Sequence, residues 1–419
     1  MNEQAIGATL PLRELRNHDT PPTGGLRPPS PTDAEPIPEE AWAEIRALLE
    51  SGDLFRYTAA DGDTTPASRL ERDFAAFIGS RFALSVNSCS SALFLALRCL
   101  DLPRGAPVLI PAFTFAAVPS AVVHAGLRPV LVECGDDLRM DMADFAAKLA
   151  EAVAEGPAAV LVSHMRGHTS DMDTILELAA AAEVPVIEDA AHSLGTLWRG
   201  RRIGTLGKIG CFSFQSYKMV NGGEGGMLVT DDADIIARAI IMSGAYEHNW
   251  KKHPAVSAAF TRYQNRLPLY NMRMNNLSAA VIRPQIAHIE RRVAQGRRNH
   301  DRIAGRLARH PNIIVPAPLP HEERAPDSFQ FLLEGLDENA IGRFVAEAGR
   351  RGVKVSIFGR DIDNARAFWN WHFIGEIPDL PCTRAMLMRA ADVRLPVHFS
   401  PEAVDATAAA LEEALAAAL

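Results

Sequence analysis

A chain of 419 residues is longer than one ordinary hydrophobic core supports, so a large domain with a smaller companion is expected. Apolar residues at 47% and charged residues at 22% are globular-protein values, and a net charge of −8 argues against nucleic acid as a main partner. Five cysteines, Cys89, Cys99, Cys134, Cys211 and Cys382, lack C-x-x-C spacing and suggest neither a disulfide framework nor a zinc site; a reducing cytoplasm fits them.

The N-terminus MNEQAIGATLPLREL lacks the apolar core of a signal peptide, and no run of eighteen apolar residues follows, so a cytoplasmic protein without membrane contact is expected. Residues 17–38 hold seven prolines and no apolar period, and 1–38 therefore reads as an extended or disordered arm. EEAWAEIRALLESG then spaces its apolar residues as a helix does and stops at Gly52. SRLERDFAAFIG repeats the pattern, with Leu70, Phe74, Phe77 and Ile78 on one face and Gly79 just past the end. Short apolar runs follow, among them APVLIPA, RPVLVEC, AAVLVSH, VPVIEDA, GCFSFQ and GGMLVTD, separated by helical or turn-rich segments. That alternation predicts an α/β domain over 39–276, its mostly parallel sheet flanked by helices on both faces. Beyond it, LSAAVIRPQIAHIERRVAQGRRNHDRIAGRLARH reads as a long linking helix kinked at Pro284. NIIVPAP, SFQFLLEGL, KVSIFG and ADVRLPV read as strands and GRFVAEAGRRG as a helix; a last helix is capped by Ser400 with Pro401 behind it. Together they predict a small α+β domain that completes 277–419.

A parallel sheet gathers its ligands at the carboxyl ends of its strands. Four segments bring polar residues there. FALSVNSCSSALFLAL sets Asn87–Ser91 between a strand and a helix, where free amides and hydroxyls suit an anion such as phosphate, although Ser and Asn are also ordinary caps. PAFTFAAVPS places Phe113 and Phe115 after a strand, as core or as an aromatic plate, and VIEDAAHSLG ends a strand on Glu188 and Asp189, as caps or as partners of a cation. SFQSYKMVNGGEGG sets Lys218 ahead of four glycines, the reverse of P-loop order; the glycines let the chain turn sharply and keep side chains clear of a ligand. A phosphate cradle, an aromatic, a carboxylate and a lysine at one edge are the holders that pyridoxal 5′-phosphate needs. The lysine binds its aldehyde, the carboxylate keeps its pyridine nitrogen protonated, the aromatic stacks on its ring and the helix N-terminus takes its phosphate.

VNSCSSALFLAL, IPAFTFAAVPSAVVHAG, VIEDAAHSLG, CFSFQSYKMVNGGEGGMLVTDD and NMRMNNLSAAVIRPQI together resemble the fold type I enzymes of the DegT/DnrJ/StrS group, pyridoxal-phosphate aminotransferases that act on keto-sugars and cyclitols. The resemblance runs from about residue 40 to the end, and EDAAHSLG and SFQ-x-x-K-x-x-x-x-GEGG are its most specific parts. It implies that Lys218 is the Schiff-base lysine and proton carrier, and Asp189 the partner of the pyridine nitrogen. It places His192 beside the cofactor's phenolic oxygen, Phe115 on its ring, and Ser90 and Ser213 on its phosphate, with the amides of Cys89 and Ser91 as helpers. Asn271 matches an asparagine that reaches the phosphate of the neighbouring subunit, which implies a homodimer with shared active sites. The implied reaction moves an amino group from an amino-acid donor, glutamate or glutamine, to a ketone of a cyclitol, keto-sugar or related specialised metabolite such as an antibiotic precursor.

Departures from the family pattern leave the acceptor open. Cys89 replaces the glycine of an S-G-T turn, Asn275–Asn276 replaces Ser/Thr–Glu, and VSIFGRDIDNARAFWNWHF stands where sugar-acting members carry H-Y-x-P-L-H. FSFQ and LFRY incline towards the cyclitol branch. Same-fold decarboxylation, racemisation or carbon–carbon bond chemistry, and a sensory dimer that merely keeps the cofactor, stay open as alternatives. Dehydratases of this scaffold carry His in place of the lysine, so Lys218 argues against them. SHMRGHTSDMD groups His164, His168, Asp171 and Asp173, but its place in a family loop argues against a metal. EHNWKKHPAVSAAFTRYQNR is a solvated loop or a contact for an anionic acceptor.

Overall fold

The computed structural model describes residues 35–58, 64–253, 257–360 and 364–419, so almost all of the arm expected over 1–38 lies outside the described residues. Two helices come first, α1 (Trp42–Ser51) and α2 (Pro66–Ile78). Thr65 Oγ1 accepts the Ser68 amide at 3.2 Å to start α2, and Gly79 ends it at φ +83, a left-handed backbone that glycine adopts freely. Leu70, Phe74 and Ile78 are buried as expected. Phe77 is only partly covered, with the Arg202 guanidinium 4.0 Å from its ring centre.

The alternating segment folds as β1 (Phe82–Val86), α3 (Cys89–Cys99), β2 (Pro107–Pro111), α4 (Ala117–His124), β3 (Arg128–Val132), α5 (Met142–Glu155), β4 (Ala159–Ser163), α6 (Met172–Ala181) and β5 (Val186–Asp189). Two short strands, β6 (Leu197–Trp198) and β7 (Arg201–Arg202), precede β8 (Ile209–Ser213), β9 (Gly226–Thr230), α7 (Ala233–Gly244) and α8 (Ser257–Tyr263). Seven strands form one sheet in the order β1-β9-β8-β5-β4-β2-β3. β9 is antiparallel to both of its neighbours, and the remaining pairs are parallel, so six strands share one direction. Side-chain alternation puts Val108 and Ile110 of β2 in a core with α3, α4 and α7, while Leu109 faces a second core with α2, α5 and α6. With both faces covered, ligand access is left to one edge, where the loops after β1, β2, β4, β5 and β8 emerge.

The expected long helix is α9 (Asn276–Ile282) and α10 (Ile289–Leu307), joined by a 3₁₀ segment over Arg283–His288 that contains Pro284. Proline has no amide to donate, so the regular helical ladder gives way there. The chain ends with β10 (Ile313–Ile314), β11 (Glu322–Glu323), β12 (Ser328–Leu333), α11 (Glu338–Arg350), β13 (Val355–Ile357), α12 (Pro381–Leu387), β14 (Ala390–Arg394) and α13 (Pro401–Ala418). β10, β12, β14 and β13 form an antiparallel sheet, and its third core is shared with α10, α11 and α13. Ser400 caps α13 as expected, accepting the Ala403 amide at 3.3 Å. A small sheet in the order β11-β6-β7 was not legible beforehand, because two-residue strands carry no period.

Candidate active site

The turn after β1 enters α3 at Ser88, whose hydroxyl accepts the Ser91 amide at 3.1 Å, while the Ser91 hydroxyl donates to Asn87 Oδ1 at 2.6 Å. Ser91 is thus spent on the helix cap and does not line the cavity that opens here, whereas Ser88, Cys89 and Ser90 do. The amides of Cys89 and Ser90 precede the first helical hydrogen bond, made by Ala92, and have no partner among the described residues. β9 runs close behind this turn: a Cβ on Gly226 would stand 2.4 Å from the Ser88 carbonyl carbon and 2.5 Å from the Cys89 nitrogen. Gly222 and Gly225 likewise make room for Ile282 and Met274. Gly222, Gly225 and Gly226 thus make room for the protein's own packing, while Gly225 also lines the cavity and Gly223, with nothing within 4 Å of a Cβ, serves the turn at φ +74.

β5 ends in two carboxylates on opposite faces. Glu188 is fully buried and accepts the amides of Gly204, Leu206 and Gly207 at 2.8, 2.7 and 2.6 Å, a structural tie that satisfies its charge. Asp189 faces the cavity, its Oδ2 accepting the Ser163 hydroxyl at 2.8 Å and its Oδ1 the Ala191 amide at 3.1 Å. The Cys89 sulfur lies 3.8 Å from Asp189 Oδ1, and burial followed by the Asp189 charge pushes its thiol well up, so it stays protonated.

Lys218 follows β8 by five residues and points into the same cavity, its Nζ 2.7 Å from His192 Nε2. Burial brings the ammonium down from its ordinary 10.5 to about 8; Asp327 opposes the fall and Arg166 adds to it. His192 is held well below its ordinary range by burial and then by Lys218, so the imidazole is neutral and accepts from the lysine. Phe115 lines the cavity with 46% of its surface exposed, whereas Phe113 turns into the core against Phe358, ring centres 4.8 Å apart. The cavity of ≈ 370 Å³ collects every predicted site residue except Ser91 and Asn271. Asn271 is exposed, next to Met272, whose carbonyl accepts the Asn87 amide at 2.9 Å.

A sequence model of the DegT/DnrJ/EryC1/StrS aminotransferase family matches residues 37–412. The chain belongs to that family. It is 32% identical over 287 residues to the spore coat polysaccharide biosynthesis protein SpsC of Bacillus subtilis, covering 67% of this chain and 69% of that one. It is 30% identical over 333 residues to the 3-amino-5-hydroxybenzoate synthase of Amycolatopsis mediterranei, covering 78% and 81%. The crystal structure of a 3-amino-5-hydroxybenzoic acid synthase shares its fold, with a TM-score of 0.76 at 24% identity over 94% of this chain and 100% of that one. Like the family's other aminotransferases, this one depends on pyridoxal phosphate and takes an amino donor and a keto acceptor. The residues present fit that group: two unpartnered amides at a helix N-terminus, a cavity-facing carboxylate, and a lysine amine of lowered pKa.

Three arginines of this family member also reach the cavity and were missed in the sequence: Arg166, Arg366 and Arg394. The signals were slight. Arg166 follows β4 with a left-handed backbone at φ +55, and Arg394 alternates with core-facing Val393 on β14, which puts it on the same strand face as Asp392. Arg366 lies in the aromatic segment that replaces H-Y-x-P-L-H. The neighbours of Arg166 in SHMRGHTSDMD have structural partners: His168 Nε2 lies 3.2 Å from Gln330 Oε1, Asp171 accepts the Thr174 amide at 3.2 Å, and Asp173 accepts from Trp198 Nε1 at 2.9 Å. In EHNWKKHPAVSAAFTRYQNR residues 254–256 lie outside the described residues, and His253 Nε2 is 3.0 Å from the Tyr57 hydroxyl, away from the cavity. Among the described residues no helix is long and apolar enough to cross a membrane.

Proposed function

We propose that this enzyme moves an amino group from glutamate or glutamine to a ketone of a cyclitol, keto-sugar or related specialised metabolite, as a cytoplasmic homodimer with Lys218 holding the cofactor. The observation that carries the reading is the meeting of Lys218, His192 and Asp189 in one cavity with the α3 N-terminus. Pyridoxal phosphate, when bound, supplies an aldehyde that takes up the amino group and a ring that spreads the electrons released at the substrate carbon.

The amides of Cys89 and Ser90, with the hydroxyls of Ser90 and Ser213, hold a phosphate at the positive end of α3. Asp189, fixed by Ser163 and Ala191, would keep a proton on the ring nitrogen, and Phe115 would offer its face to the ring. Lys218 would hold the aldehyde, and its amine, when free, would take the proton from the donor carbon. At its ordinary 10.5 the amine would be almost wholly protonated at neutral pH; at about 8 a useful fraction is free to accept a proton. His192 steers that amine by its contact at 2.7 Å. In this reading the exposed Asn271 serves the phosphate of the neighbouring copy.

The test is spectroscopic. Protein incubated with pyridoxal phosphate should show a visible band that borohydride fixes to Lys218 and that is missing from Lys218→Ala. Glutamate or glutamine should convert the band, and mixing Lys218→Ala with Asn271→Ala protein should restore activity if the sites are shared. A band that survives Lys218→Ala rejects the assignment, and a band that no amino-acid donor converts places the protein among same-fold enzymes of other chemistry.

A further inference from the structure

The cavity holds more fixed positive charge than the cofactor's holders need. Arg166 is paired with Asp392, whose other oxygen accepts from Gln330 Nε2 at 2.8 Å, so Asp392 is fully engaged. Arg366 and Arg394 have no ion pair with any described carboxylate. Arg366 has its guanidinium carbon 5.8 Å from the ring centres of both Phe115 and Phe358, and Arg394 stands 4.0 Å over Tyr217. Asp327, which accepts the Ser328 hydroxyl at 3.0 Å, partly offsets the Arg394 charge without forming an ion pair with it, and Glu224 is exposed where it lines the cavity. Burial and then the Arg166 charge lower Arg366, to about 10, and Arg394, a penalty that an entering anion would relieve.

We propose that Arg366 and Arg394, backed by the Arg166–Asp392 pair, form a carboxylate-binding subsite that selects a ring ketone bearing an acidic group as the amino acceptor. The proposal rests on the aminotransferase reading above. A guanidinium offers a planar fork that matches a carboxylate with two hydrogen bonds, and its face can lie over an aromatic ring, as Arg394 does over Tyr217. The side walls add Leu93, Val118 and Met165, apolar surface suited to a carbocycle rather than to a nucleotide diphosphate. Arg366 comes from the segment in which this chain departs from the sugar-acting pattern, which assigns it to the acceptor rather than to a donor. The 3-amino-5-hydroxybenzoate synthase relative is itself named for a ring that carries a carboxylate.

The test is calorimetric titration of the holoenzyme with 3-oxocyclohexane-1-carboxylate and with its neutral carboxamide. Wild type should bind the acid at least about tenfold tighter, the scale of one charge-assisted hydrogen bond. Arg366→Gln should abolish that preference, Arg394→Gln should reduce it, and Arg366→Lys should keep part of it; circular dichroism verifies that each variant folds. Equal binding of acid and amide by wild type, no binding of either, or a preference that survives both glutamine variants overturns the proposal. It is also overturned if Arg366→Gln slows conversion of the cofactor by glutamate while the acid preference persists, because the arginine then serves the donor. If the visible cofactor band is absent but an Arg366-dependent acid preference remains, the aminotransferase mechanism fails and the subsite stands.

Discussion

Gly226→Ala tests the phosphate cradle without touching a reactive group. The added methyl would sit 2.4 Å from the carbonyl carbon and oxygen of Ser88 and 2.5 Å from the Cys89 nitrogen. Relaxed contacts of this kind lie at about 3.5–4.0 Å, so one side must give way by about 1 Å. β9 is held in register on both sides, Gly226 facing Val86 and Ser213, so the turn that starts α3 is the part that moves. Overpacking of this sort costs about 1–3 kcal/mol of stability. The larger consequence is for the anion, since each charge-assisted hydrogen bond pulled out of reach costs about 1.5–3 kcal/mol, or about 10- to 100-fold in affinity. The assay is titration of cofactor-free protein with pyridoxal phosphate, followed by the visible band. Gly223→Ala is the control: its Cβ meets nothing within 4 Å, and although its φ of +74 adds local strain of about 1–2 kcal/mol, it should leave cofactor affinity unchanged. If Gly226→Ala binds pyridoxal phosphate within threefold of wild type, the turn is not the phosphate cradle.

Two further outcomes follow from the charges. Cofactor-free protein should capture pyridoxal phosphate at a rate that rises with pH through about 8, because only the neutral Lys218 amine attacks, and Arg166→Gln should move that midpoint upward by removing a neighbouring cation; stopped-flow absorbance measures both. Arg56, in the turn between α1 and α2, and Glu71, on α2, form a buried two-bond pair at 2.8 and 2.9 Å, so Glu71→Gln should cost about 3–5 kcal/mol in denaturant unfolding at pH 7. Burial alone would raise Glu71, but Arg56 holds it below its ordinary 4.5, so this stability is present above 4.5 and lost as the pH falls below it, while Glu71→Gln should show a smaller loss over the same interval.

Much of the architecture could be read from residue order because the forces involved are local. Continuous apolar runs of β2, β4 and β5 between amphipathic helices admit only a sheet buried on both faces, and Pro284 interrupts a helical ladder wherever the helix lies. Lys218, Asp189 and His192 were legible because their segments follow strands that leave the sheet at one edge, and the family's motifs marked which of the polar residues face inward. Three features depended on contacts distant in sequence. Ser91 looked like a phosphate ligand until its hydroxyl and amide were seen to serve Asn87 and Ser88. Gly226, one of the glycines after Lys218, looked like ligand clearance until it was found against Ser88. Arg166, Arg366 and Arg394 lie 200 and 28 residues apart in succession and carry no common period; only the docking of β14 and of residues 364–373 against the large domain brings their charges into one cavity. Sequence thus determined the cofactor chemistry, which depends on residue type at a strand end, while the shape and charge of the cavity were set by how the second sheet meets the first.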